Sequence, residues 1–289
     1  MPILPSTQFT YTQLRRAGGA QIAGRGLAGI LPSLSCAISP ASSLNQLPKL
    51  GAIKLKEKEY IPTWGVKVLS ATVSEQAGRW FVSVQVEEEH AEPVAATGPI
   101  IGVDLGLTSL ATLSDGQSIE HPKALRKNLK KLKRLSRQHA RKMKGSKNRQ
   151  KATRRLARLH AHIANIRKDT LHKATTQMVM KTKSPHERPS VVVIEDLNVS
   201  GMLKNRTLSR AIADVGLYEL RRQLTYKTAQ AGVTLKVVSR WYPSSKTCSS
   251  CGTVRDELGL SERVFVCIDC GYVADRDYNA SKNLASSGA

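Results

Sequence analysis

Seven side chains of this sequence have the types and spacing for metal chemistry. Cys248-x-x-Cys251 and Cys267-x-x-Cys270 are two thiol pairs separated by 15 residues, and Asp277 follows the second pair by seven residues. Thiolates at this spacing wrap one tetrahedral Zn²⁺. Four of them leave no open coordination position, so that metal would be a structural staple. Cys36 stands alone. Metal-type spacing implies reduced thiols and a cytoplasmic protein. Two more acids sit at the ends of short apolar runs: Asp104 closes "IIGVD" (100–104), and Glu195 follows the valines of "SVVVIEDLN" (190–198). Each acid alone reads as a solvated or helix-capping group. Three acids brought from distant segments to one point would repel unless cations lay between them. A pair of Mg²⁺ or Mn²⁺ ions about 3.5–4 Å apart in such a cage activates water and stabilises the leaving oxygen of a phosphodiester.

The elements that must hold these acids follow from the hydrophobic pattern. Continuous apolar runs suit strands buried on both faces, and ligands in open α/β sheets collect at the carboxyl ends of strands, where Asp104 and Glu195 lie. "SLATLS", "DG" and "QSIE" after Asp104 predict a hairpin. A helix is expected over about 209–231, then the strand "TLKVVS" (234–239), the cysteine module, and a final helix from about 277. The N-terminus of that helix suits the charge of Asp277. Upstream, "KVLSATVSE" and "RWFVSVQVEEE" alternate apolar and polar residues around "QAG", which predicts a two-stranded ribbon. Residues 1–47 contain no acid, are rich in Ala, Gly, Ser, Leu and Pro, and show no periodicity, so they are expected to be disordered or atypical.

The net charge of +23 points to a polyanion partner, most simply nucleic acid. It is concentrated: residues 121–183 hold 22 Lys and Arg against one acid, Asp169. Leu125, Leu129 and Leu132, then Leu156, Leu159, Ile163 and Ile166, recur at helical spacing, with "KGSKN" (144–148) between them. Two long antiparallel helices with one apolar seam and a cationic exterior are expected. Without acidic partners at i,i+4, such a face is suited to phosphates. Lys130, Arg134, Arg137, Arg141, Arg154, Arg155 and Arg158 are the candidate contacts. Trp241 and Tyr242 could stack on bases but read first as core residues. No apolar run reaches membrane-spanning length, so no membrane partner is expected.

The order strand-Asp, hairpin, helices, strand-Glu, helix, strand, helix-Asp is that of an RNase H-like nuclease. "IGVDLGLTSLATLSDG", "VVVIEDLNVSGM", "WYPSSKTCSSCG" and "CIDCGYVADRDYNASKNL" resemble the successive RuvC and zinc-ribbon motifs of the TnpB family. These are transposon-encoded, RNA-guided DNA endonucleases related to the type V CRISPR effectors. The resemblance covers about residues 48–285. It implies an α/β, RNase H-like (RuvC) nuclease domain over 98–245 and 275–289, with a basic helical-hairpin insertion at 121–183 and an inserted zinc ribbon at 246–274. The remnant of an N-terminal β-barrel would occupy 48–97. By the same resemblance Asp104, Glu195 and Asp277 are the catalytic acids, with Mg²⁺ or Mn²⁺ between them. Cys248, Cys251, Cys267 and Cys270 hold zinc, Asn279 has a supporting role, and DNA and a transposon-encoded guide RNA are the partners. Asp196 and Asp275 flank the acid set without belonging to it. Residues 1–47 do not resemble the family, which implies an N-terminally truncated chain. Two other readings compete: a non-cleaving nucleic-acid-binding remnant, and a DDE-type transposase. The zinc ribbon lying before the third acid argues against the transposase.

Overall fold

The computed structural model describes residues 8–13, 29–31, 44–47, 51–54, 67–87, 91–180, 183–259 and 261–288. The chain divides into two compact units, Met1–Ala91 with Arg134–Ala161, and Glu92–Lys133 with His162–Ala289.

In the first unit, β5 (Lys67–Gln76) and β6 (Arg79–Glu87) form the expected hairpin around Ala77 and Gly78. Both turn residues have positive φ, as a two-residue hairpin loop of this hand demands. The alternation of β6 is real: Val82, Val84 and Val86 are buried and their neighbours are not. Residues 1–47, expected to lack regular structure, contribute β1 (Gln8–Gln13), β2 (Gly29–Leu31) and β3 (Leu44–Leu47). β1 pairs with β6 and β2 with β5, giving the order β1-β6-β5-β2, while β3 pairs with β4 (Gly51–Lys54). The reason is that a hairpin edge offers unpaired N–H and C=O groups, and strand addition to it is backbone-driven and needs no alternating side chains.

The second unit is built on a five-stranded mixed sheet of order β11-β10-β7-β8-β9. β7 (Ile101–Leu105), β8 (Ser109–Leu113) and β9 (Ser118–Glu120) form an antiparallel meander. β10 (Val191–Glu195) runs parallel to β7, and β11 (Thr234–Val238) parallel to β10. Between β9 and β10 lie α1 (Ala124–Ala140) and α2 (Lys147–Val179), which occupy the two basic runs. The turn joining them is local: Ser146 Oγ accepts from Arg149 N at the start of α2, and Arg149 Nη1 donates to Lys142 O at 2.7 Å.

α3 (Val199–Leu203), α4 (Ser209–Val215) and α5 (Leu217–Ala231) follow β10. The single helix expected over 209–231 is thus broken. Gly216 sits at φ +76°, a left-handed conformation that terminates α4 and restarts the chain as α5. The cysteine module contains the antiparallel pair β12 (Val264–Val266) and β13 (Val273–Asp275), and β13 runs directly into α6 (Arg276–Ser286).

Strand alternation decides which acids can meet. Ile101 and Val103 of β7, and Val192 and Ile194 of β10, join the core formed with Leu171 and Met178 of α2 and Leu220 and Leu224 of α5. Successive residues of a strand face opposite sides. Gly102, Asp104, Val193 and Glu195 therefore face the other side, which α6 covers. A Cβ at Gly102 would stand 2.0 Å from Ser281 O and 2.4 Å from Ala285 N, so α6 lies directly on the β7 backbone at a spot only glycine permits. Asp104 is two residues further along that face, and Asp277 is in the first turn of α6.

Candidate nuclease and metal site

All three predicted acids reach one neighbourhood. Asp104 is the penultimate residue of β7 and Glu195 the last of β10, on adjacent parallel strands and on the face under α6. Asp277 comes from the start of α6. Burial first, then the charges of Asp277 and Glu195, push the Asp104 carboxyl up to about 8, while Arg276 opposes the rise. A carboxyl raised in this way keeps its proton unless a positive charge comes near it, and three carboxylates are an oxygen-only donor set of the kind that suits a hard cation. The three carboxylates are not drawn to within 4.8 Å of one another. Among the described residues only the four thiols form such a group.

The neighbouring acids are occupied otherwise. Asp196 is bonded by Arg221 Nη1 at 2.7 Å and by Arg240 Nη2, and these bonds hold its carboxyl below the usual range. Asp275 is the N-cap of α6, accepting from Asp277 N and Tyr278 N at 3.0 Å each. That cap fixes the turn from which Asp277 projects. Glu195 is bonded at Oε1 by Ser244 Oγ.

Cys248, Cys251, Cys267 and Cys270 come together as expected, all four sulfurs within 4.8 Å of one another. Two of the sulfur pairs stand 3.7 and 3.5 Å apart. A tetrahedron of thiolates about 2.3 Å from a central zinc has edges of about 3.8 Å, so the cluster fits a metal. It does not fit disulfides, and all four are free thiols. The Thr253 hydroxyl and N–H lower Cys251 to about 6. For Cys270 the Tyr272 N–H pulls down, but the Cys251, Cys267 and Cys248 sulfurs and burial prevail and raise it to about 12. Phe265 is fully buried against Cys248 and Cys267, with Leu258 and Tyr272 beside them, giving the module its own small core.

The seven predicted nucleic-acid contacts, Lys130, Arg134, Arg137, Arg141, Arg154, Arg155 and Arg158, are all exposed. Arg141 lies just past the end of α1 and the others lie on α1 and α2. Trp241, read as a core residue, is 85% exposed in the loop after β11. Its neighbour Tyr242 is half-buried and donates its hydroxyl to Asn283 O. The loop follows the end of β11, and among the described residues nothing packs over the ring.

Three contributors had escaped the sequence reading. Ser244 and Asn283 were unremarkable polar letters. Asp214 of α4 is 4% exposed and accepts from Leu125 N and Arg126 N at the start of α1 and from Arg167 Nε of α2. A lone acid inside "SRAIADV", five residues after the helix start, was the available signal. Among the described residues no helix is long and apolar enough to cross a membrane.

Comparison with known proteins places this arrangement. Residues 82–206 match the family model OrfB_IS605, described as "Probable transposase". Residues 218–284 match "Cas12f1-like, TNB domain". A "Putative RNA-guided DNA endonuclease" of Streptomyces pristinaespiralis is 47% identical over 225 residues, 78% of this chain and 54% of the relative. "Putative RNA-guided DNA endonuclease InsQ" of Escherichia coli K12 is 40% identical over 257 residues, 84% of this chain and 61% of the relative. The chain therefore spans a little over half the length of these relatives. A cryo-EM structure of a Cas12f1–sgRNA–target DNA complex aligns with 76% of this chain and 46% of that one, with a TM-score of 0.54 and 20% identity, a likeness of fold. With both family models in sequence order and these identities across most of its length, the chain belongs to the TnpB family.

Proposed function

We propose that this chain is an RNA-guided DNA endonuclease of the TnpB type, hydrolysing DNA phosphodiesters in an RNase H-like (RuvC) domain. One observation supports the reading: acids from β7, β10 and α6 lie on one face of the sheet, near enough for the charges of Asp277 and Glu195 to act on Asp104. The strand order, the two family matches and the names of the relatives support it. Residues 48–97 are the counterpart of part of the family's N-terminal barrel.

Asp104, Glu195 and Asp277 would hold Mg²⁺ or Mn²⁺. When bound, such ions supply a water acidic enough to attack at neutral pH and positive charge for the leaving oxygen. Asp104, whose carboxyl is raised to about 8 without a cation, would serve as a ligand in its ionised form. Ser244 fixes which Glu195 oxygen remains open, and Asp275 holds the turn that presents Asp277. Zinc at the four cysteines is structural. The exposed cations of α1 and α2 bind phosphates of guide RNA and DNA, a contact that sets affinity and register without reading bases.

The test is the purified chain, with and without co-expressed RNA, on labelled single- and double-stranded DNA in Mg²⁺ or Mn²⁺. Cutting requires the divalent ion and disappears in Asp104→Ala, Glu195→Ala and Asp277→Ala, while nucleic-acid binding persists. Metal-dependent cutting that survives Asp104→Ala overturns the acid assignment. The run of exposed cations on α1 and α2 favours one second reading, binding without cleavage. That reading wins if the parent binds tightly and never cuts.

A further inference from the structure

The segment 244–249 joins the acid site to the cysteine site. At one end, Ser244 is 4% exposed and donates its hydroxyl to Glu195 Oε1. At the other end is Cys248, whose own N–H is committed to Thr253 O inside the module. Two buried amides of α6 hold the segment between. Asn283 Nδ2 donates to Ser244 O at 2.7 Å and to Thr247 O at 2.6 Å. Asn279 Nδ2 donates to Thr247 O at 2.7 Å, and its Oδ1 accepts from Ser249 N at 2.9 Å. Asn279 thus grips the backbone on both sides of Cys248. The two asparagines are 0% and 4% exposed and lie four residues apart, on one face of the helix whose first turn carries Asp277. Asn279 is bonded through both its amide nitrogen and its oxygen, and Asn283 through its nitrogen to two carbonyls; such buried bonds resist displacement, because breaking one leaves a polar atom without water.

We propose that Ser244 is a positioning residue for Glu195, and that Asn279 and Asn283 couple it to the cysteine site, so that zinc loading tightens divalent-cation binding at the three acids. The inference rests on the proposed reading of those acids as cation ligands. Glu195 has two oxygens. The Ser244 hydroxyl bonds Oε1, which restricts rotation of the carboxylate and makes Oε2 the oxygen that would face a cation. Outer partners of this kind orient metal-binding carboxylates, and their loss weakens metal binding about 10–100-fold. Zinc fixes Cys248 against Cys251, Cys267 and Cys270. Through Asn279 and Asn283 that restraint passes to Ser244, and through the body of α6 to Asp277. Coupling between two binding sites is reciprocal, so cation at the acids also tightens zinc binding by the same factor.

The experiment is Mn²⁺ titration of the full chain without nucleic acid, followed by electron paramagnetic resonance of free Mn²⁺, with zinc content and far-ultraviolet circular dichroism measured on each sample. Zinc-loaded Ser244→Ala binds Mn²⁺ about 10–100-fold more weakly than the parent, with one zinc retained and unchanged secondary structure. Ser244→Thr, which keeps the hydroxyl, restores the affinity. Stripping zinc weakens Mn²⁺ binding in the parent but makes no difference in Asn279→Ala. Asp104→Ala is run beside them. If the parent has no Mn²⁺ site sensitive to Asp104→Ala, the cation-site reading fails and this inference with it. If that site exists and folded, zinc-loaded Ser244→Ala binds as the parent does, the positioning role alone is overturned. An equal loss on zinc stripping in the parent and in Asn279→Ala overturns the coupling.

Discussion

Replacing Asp214 with alanine should cost more stability than any exposed change in the chain. Its carboxylate accepts from Leu125 N at 3.0 Å to each oxygen, from Arg126 N at 3.3 Å and from Arg167 Nε at 2.8 Å, with a side chain only 5% exposed. It caps α1 from another helix, and in doing so it ties α1, α2 and α4 together. Losing an N-cap costs about 1 kcal/mol. Leaving one partner of a buried ion pair uncompensated costs about 3–5 kcal/mol. The two effects share bonds, and Arg167 keeps 27% of its side-chain surface, which lets water take over part of its charge. The expected total is therefore about 3–4 kcal/mol, near the lower end of that range. With a denaturant slope of about 3 kcal/mol per M, the urea midpoint falls by roughly 1 M. Asp214→Asn keeps one acceptor and should lose about half as much. Combining Asp214→Ala with Arg167→Leu removes the stranded cation and should recover part of the loss. Urea unfolding followed by circular dichroism reads all four proteins. A midpoint shift under about 0.3 M for Asp214→Ala, or no recovery in the double variant, would refute the argument, since at that slope 0.3 M is about 1 kcal/mol.

Asp104 makes the metal-free protein sensitive to pH. Its folded value of about 8 lies above the unfolded 3.8, so the folded state holds an extra proton between them. Stability therefore falls as pH rises from about 4 to 8, by at most about 1.4 kcal/mol per pH unit. Melting in chelator should show this fall, Asp104→Asn should flatten it, and Mn²⁺ should reverse it in the parent alone. Protein purified without added metal should carry one zinc, and Cys267→Ser should lose it together with several degrees of melting temperature. Metal analysis and a thermal scan check both. Arg154→Glu, Arg155→Glu and Arg158→Glu together should weaken RNA and DNA binding at least tenfold and reduce its salt dependence. A salt titration of fluorescence anisotropy reads this, and an unchanged slope would mark α2 as a merely solvated face.

What the sequence made legible were features with a period or a fixed spacing. Asp104 and Glu195 stood out because apolar runs ended at them, and the thiols because one metal dictates their separation. α1 and α2 were readable from leucines at helical spacing. Features set by tertiary contact were not. Nothing in "SRAIADV" distinguishes a buried capping acid from a solvated one, because the groups that Asp214 satisfies belong to segments 47 and 89 residues away. The break at Gly216 is not marked by the hydrophobic pattern of 209–231, and it follows from the left-handed backbone of that residue. Trp241 was assigned to the core on hydrophobicity, which cannot see that, among the described residues, nothing packs over its ring. The strands in residues 1–47 escaped because edge pairing is carried by backbone groups common to every sequence.

The close approach at Gly102 also decides when the site can be complete. Domains fold as units during synthesis. The unit that holds the acids cannot cover the face above Gly102 until α6 exists, and α6 follows every strand of that sheet in the chain. That one helix brings Asp277, Asn279 and Asn283 together. A nascent chain short of α6 lacks one acid of three and the amides that hold the segment at Ser244. On the proposed reading, such a chain is chemically silent until that helix is made.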